Sequence, residues 1–312
     1  MAFFKKGKSA NYSVLPGYAW YVPGVSGMFA LLGWLLVGTL LGGILASIFQ
    51  LSFSAGMEYA ELISYPVMFI PPMIVAKHIS QRNMLFETGY ELDSAHFGKL
   101  GGWVIALCCM IATIGASFCM DAVNAQLPEM PEWLEEALKS ITEGDFFTSF
   151  LLACIFAPFF EEWLCRGMVL RGLLNYKKAD GTRGLKPVWA IVISAFFFAF
   201  IHFNPWQGIP AFALGLLFGY VYYKTGSLKL TMLMHFTNNF AAVLVSQIFS
   251  GNETMEAAES WLDVVPTVPY VILFVVFVCF IAWFVMQLDK IPQERPQGNH
   301  DEIPVETEEL PA

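Results

Sequence analysis

The chain has 312 residues, of which 56% are apolar and only 14% charged, against about 25% charged in a soluble domain. That leaves too little polar surface to coat a water-soluble globule, so most of the chain must face lipid. The net charge of −9 argues against nucleic acid as a partner, and the six cysteines all fall in apolar segments without paired spacing, as small buried hydrophobes do.

In chain order, a polar and aromatic N-terminal segment (1–24) precedes eight apolar runs of near-spanning length. They are Val25–Phe49, Glu58–Ala76, Gly101–Met120, Phe146–Cys165, Val188–Phe203, Ile209–Tyr223, Leu230–Phe249 and Val265–Leu288. The first is too long, and starts too far into the chain, for a signal peptide. The fourth continues as helix to about Leu174, because Met168–Leu174 is still largely apolar. Between the third and fourth, Met130–Thr142 sets Trp133, Leu134, Ala137, Leu138 and Ile141 at helical spacing. That spacing predicts an amphipathic helix, lying on the outer surface or packed on the bundle. The pairs Gly38/Gly42 and Gly215/Gly219 predict close helix contacts. From Pro292 onward the chain is Pro- and Glu-rich, a composition expected to be disordered. The expected fold is all-α, a polytopic membrane bundle of about eight transmembrane helices. It divides into N-terminal helices (25–145), a core (146–250), an outer loop with the last helix (251–288) and an acidic tail (289–312).

Lys and Arg are retained on the cytoplasmic side of a membrane. With both termini inside, Lys139 is the single basic residue of 17 that falls outside. The expected location is therefore the cell membrane, multi-pass, with the basic loops around Lys77, Lys177 and Lys224 in the cytoplasm.

An ionised side chain at mid-bilayer costs roughly 2.5–3.5 kcal/mol on insertion scales. The apolar runs nevertheless contain Glu161, Glu162 and Arg166, then His202, then His235 and Asn239. Glu162 and Arg166 are four apart with the acid first, the better order for a helical ion pair. Glu161 is turned about 100° away and can face elsewhere. His235 and Asn239 share one helix face, as do Phe198 and His202, which lets the Phe198 ring brace the imidazole. The depths agree less well: His202 lies about 21 Å into its run and His235 about 8 Å into its own, at a rise of about 1.5 Å per residue. They converge if the seventh helix begins earlier, near Ser227, or if helices tilt.

The set suits hydrolysis. Glu161 can act as general base, His202 can hold the water, and His235 with Asn239 can donate to a developing oxyanion. A metal is the other use, since Glu161, His202 and His235 could hold zinc, although no H-E-x-x-H helix is present. A proton relay in a transporter uses the same residue types, and a purely structural polar network remains a third reading. Cys165 as a nucleophile has nothing beside it to lower its pKa reliably.

These residues resemble the CAAX-protease and bacteriocin-processing family, also called CPBP or Abi, which includes the type II CAAX prenyl endopeptidases. The family's EExxxR stands here as Glu161-Glu162-Trp-Leu-Cys-Arg166, its FxxxH as Phe198-Ala-Phe-Ile-His202 and its HxxxN as His235-Phe-Thr-Asn-Asn239. Each motif alone is weak; three in order on successive apolar runs are specific. The resemblance covers Phe146–Ser250 and departs at Cys165, where members often carry an aromatic. It implies an intramembrane endopeptidase in which Glu161 and His202 activate water, His235 and Asn239 stabilise the oxyanion, and Glu162 and Arg166 support the site. The family's metal dependence is open, so it commits to no cofactor. The implied partners are the lipid bilayer and a peptide or membrane-protein substrate, supplied from the cytoplasm if the site opens among the basic loops. A non-catalytic immunity or interaction protein of the membrane is the alternative.

Overall fold

The computed structural model describes residues 15–53, 57–85, 89–142, 145–178, 181–182, 184–249, 252 and 260–292. Most of the N-terminal segment and nearly all of the tail expected to be disordered lie outside them. The described residues form ten helices: α1 (Val25–Phe53), α2 (Met57–Asn83), α3 (Gly101–Asn124), α4 (Glu132–Thr142) and α5, a continuous rod spanning Phe146–Asn175. Then come α6 (Pro187–Phe200), α7 (Pro205–Thr225), α8 (Leu228–Phe249), the single turn α9 (Trp261–Val264) and α10 (Thr267–Asp289). The molecule is an all-helical, multi-pass membrane bundle.

Every predicted apolar run meets a helix, but among the described residues five helices are both long and apolar enough to cross a bilayer: α1, α2, α3, α5 and α10. The other three build the site. α6 has 14 residues, too few to span, and stops at Phe200, so His202 sits in the turn after it rather than inside a span. α7 and α8 have 21 and 22 residues, but Gln207 on one and His235, Asn238 and Asn239 on the other lower their hydropathy. Those polar groups line an internal cavity, the usual place for polar side chains at membrane depth.

α5 is the axis. From Trp163 to Leu174 every residue is buried, among Tyr18, Leu31 and Leu35, Phe69 of α2, and Ala190 and Ile191 of α6. A second apolar cluster joins Ile105 and Cys109 of α3, Phe218 of α7, Met234 of α8 and Phe284 of α10. Glycines set the close contacts. A Cβ on Gly38 would stand 2.0 Å from the Met68 carbonyl oxygen and one on Gly42 2.6 Å from that of Ser64, so α1 and α2 meet backbone to backbone. A Cβ on Gly215 would stand 3.1 Å from Ala195 of α6, and one on Gly219 3.1 Å from Ile191.

Arg171, near the end of α5, is buried rather than solvated. It is 2% exposed and donates to the carbonyls of Gly167, Ala19, Tyr90, Tyr18 and Tyr21 at 2.5–3.3 Å. One guanidinium thus ties the pre-α1 segment and the α2–α3 connection to α5. The α2–α3 connection is also stitched to the α7–α8 corner. The buried Asp93 accepts from the Lys229 backbone N–H at 3.1 Å and the Ser227 hydroxyl at 3.2 Å, which caps the start of α8. α8 therefore begins at Leu228, close to the early start that the depths of His202 and His235 called for.

α4 packs onto the bundle, with Leu134 buried and Trp133 exposed; it does not lie free on a surface. Its Lys139 pairs with Glu135 at 2.8 Å.

Candidate active site

Two stretches of α5 are wound as π-helix, Phe150–Phe156 and Trp163–Leu170, and between them the α-helical Ala157–Glu162 presents the two glutamates. π-Turns are rare and concentrate at functional sites. The first has a visible cause and use. The Ala157 N–H bonds to the Leu152 carbonyl, five residues back. The next donor in that register would be Pro158, which has no N–H. The Ala153 carbonyl is thereby left over, and the Asn239 side-chain amide donates to it at 2.8 Å. The carboxamide is pinned across two helices by a proline that the sequence reading passed over.

Glu162 and Arg166 are both fully buried and paired at 2.9 Å. The same carboxylate oxygen accepts from His235 Nδ1 at 3.1 Å. Arg166 also donates to the Gly215 carbonyl at 3.2 Å, and its guanidinium carbon lies 4.4 Å from the Phe198 ring centre and 5.2 Å from that of Phe218. Phe198 in turn sets its edge or face against His202 (centroids 5.1 Å, 87°) and His235 (5.6 Å, 80°). One aromatic ring braces both imidazoles and the arginine.

Hydrogen bonds set the tautomers. His202 Nδ1 lies 2.8 Å from the Phe198 carbonyl, which can only accept. Nδ1 therefore carries the proton, and Nε2 of the neutral ring is an acceptor. His235 Nδ1 faces a carboxylate and donates too; its Nε2 accepts when the ring is neutral and donates when the ring holds both protons. The turn that carries His202 is locked by Asn204, whose side chain caps α7 on the Gln207 N–H (2.8 Å) and donates to the His202 carbonyl (2.9 Å). Phe203 in that turn has φ 54°, a left-handed backbone that costs a non-glycine residue on the order of 1–3 kcal/mol.

Glu161 points away from this network. Its Oε1 accepts from the Tyr65 hydroxyl of α2, and its Oε2 is buried without a partner among the described residues. Tyr65 escaped the sequence reading. The available signal was a phenol in the middle of a predicted span, where its hydroxyl needs a partner.

Glu161, His202, His235 and Asn239 all line one cavity of about 710 Å³, together with Tyr65, Phe198 and Asn238. The remainder of the wall is largely apolar, from Leu35, Met68, Phe69, Leu152, Ala157 and Leu214. The cavity reaches α4, where Glu135, Leu138 and Lys139 line it, and Lys139 is the single basic residue among its described lining. Trp206, at the start of α7, donates to the Pro128 carbonyl at 2.8 Å, so the His202 turn and the lead-in to α4 share one end of the molecule. That end is the one away from Lys186 at the start of α6 and Lys224 at the end of α7.

The three candidate zinc ligands share the cavity wall, but among the described residues no three His, Cys, Asp or Glu side chains gather closely enough to hold a metal ion. His235 and Glu161 are turned to different partners, and the donor set does not fit a closed coordination shell.

Compared with known proteins, the chain matches no curated protein and no solved structure. Residues 143–241, about a third of the chain and the part that holds all three motifs, match the family model described as Rce1-like, type II CAAX prenyl endopeptidase.

Proposed function

We propose that this chain is an intramembrane endopeptidase that hydrolyses a peptide bond of a membrane-associated substrate with a water activated by Glu161 and His202. The observation that carries this reading is the pair of acceptors on one cavity wall: a glutamate oxygen without a partner and an imidazole whose Nδ1–H is already committed. A water between them finds two acceptors for its two protons. Glu161 takes one proton as the water oxygen attacks the carbonyl carbon, and later returns it to the leaving amine. The charge that develops on the carbonyl oxygen is met by donors on α8. Asn239 has a second amide hydrogen beyond the one given to Ala153, and His235 donates through Nε2 when its ring holds both protons. Glu162 and Arg166 hold His235 and support the site. No step requires a metal, and none is routed through one.

We infer a cell-membrane location with both termini cytoplasmic from the Lys/Arg distribution. The test uses purified protein in detergent and an internally quenched peptide library. Wild type should cut a subset of peptides, and Glu161→Gln should abolish cutting while keeping the wild-type melting temperature. Full cleavage by Glu161→Gln, with loss of proton-coupled flux in liposomes, would establish the relay reading instead.

A further inference from the structure

We infer that Tyr65, outside the matched segment and on a different helix, is a positioning residue for the proposed general base: its hydroxyl fixes Oε1 of Glu161 and leaves Oε2 to take the proton from water. This rests on the proposed function. Four observations support it. The hydroxyl of Tyr65 donates to Glu161 across 96 residues of sequence, and the other carboxylate oxygen is buried without a partner. Both residues line the cavity that holds His202 and His235. The helix carrying Tyr65 is also clamped on either side of it, because Gly42 and Gly38 of α1 press against the backbone of Ser64 and Met68. Phe69, one turn on, stacks on Phe160 beside Glu161, with centroids 5.0 Å apart at 14°.

A carboxylate on a helix has a free torsion at its end. Without a donor it rotates, and the oxygen facing the water is not defined. With Oε1 held, one orientation persists. The balance of the step is simple: a water O–H bond breaks, its proton goes to Oε2, the water oxygen bonds to the carbonyl carbon, and Tyr65 keeps its own proton throughout. In this role Tyr65 acts through Glu161 and takes no part in the bond changes.

The test compares wild type, Tyr65→Phe and Glu161→Gln in detergent, using the quenched peptide that wild type cuts best. Tyr65→Phe keeps the ring and removes the hydroxyl. Its kcat should fall about 10- to 100-fold, the weight of one hydrogen bond to a charged group, with KM unchanged within about twofold. In the resting protein, the infrared difference between wild type and Tyr65→Phe should contain a carboxylate band that vanishes in a Glu161→Gln background. Wild-type kcat in Tyr65→Phe, with Glu161→Gln inactive, overturns this inference and leaves the proposed function standing. Full activity in Glu161→Gln overturns the proposed function, and this inference with it. A raised KM at unchanged kcat also overturns it, because the phenol would then shape the cavity rather than hold the base.

Discussion

Arg166 and Glu162 show what single residues contribute. Both are fully buried, and the Glu162 carboxylate serves Arg166 and His235 at once. Removing either partner orphans a buried charge, at about 3–5 kcal/mol for breaking such a pair. Thermal melts of Arg166→Ala should therefore fall well below wild type; an unchanged melt would remove the pair from the account of stability. Asn239 carries a different expectation. Its amide is anchored on Ala153; under the proposed mechanism Asn239→Ala removes one oxyanion donor and should slow turnover by about 10²–10³-fold, as single-turnover kinetics would read. The pairing of Glu162 with Arg166 was legible from their spacing. Its third member was not, because His235 is 73 residues away and spacing carries no information across helices.

At the scale of elements, Pro158 and the brevity of α6 decide the site. Pro158 cannot donate to Ala153, and the freed carbonyl holds Asn239. Pro158→Ala supplies a competing backbone N–H, so it should lower kcat severalfold while leaving the melting temperature unchanged or raised. A variant as active as wild type would show that the anchor does not depend on the proline. α6 ends after 14 residues, and the Asn204 cap then starts α7 at once, which brings His202 to the depth of the cavity. Asn204-Pro205 was readable as a helix start. That it cuts a predicted span short was hidden by Phe200, Ile201 and Phe203, which continue the apolar pattern through the turn.

For the whole molecule, orientation and access form one question. Reporter fusions after Lys8, Arg183 and Arg295 should read cytoplasmic, and a fusion near Lys139 external; an external reading at Arg183 would contradict the arrangement. The cavity reaches α4 and the His202 turn, at the end away from Lys186 and Lys224. With exposed Cys279 replaced by Ser, a cysteine at Leu138 modified from outside by an impermeant maleimide should therefore block cleavage. Metal removal is tested at the same scale: protein passed through chelator should keep its activity, and stoichiometric zinc with activity lost and restored by zinc alone would reverse that.

By itself the sequence determined the class of molecule, the places of its helices, the close glycine contacts and the three motifs. Each of these depends on composition or on intervals within one helix, which a linear chain displays directly. Tertiary structure alone decided which groups meet. It set Tyr65 on Glu161, His235 on Glu162 and Asn239 on Ala153, buried Arg171 among carbonyls, and turned α6 back before it could span. The physical reason is common to all of them. A buried polar group must find a partner, and which partner it finds depends on helix packing that no interval in the sequence encodes.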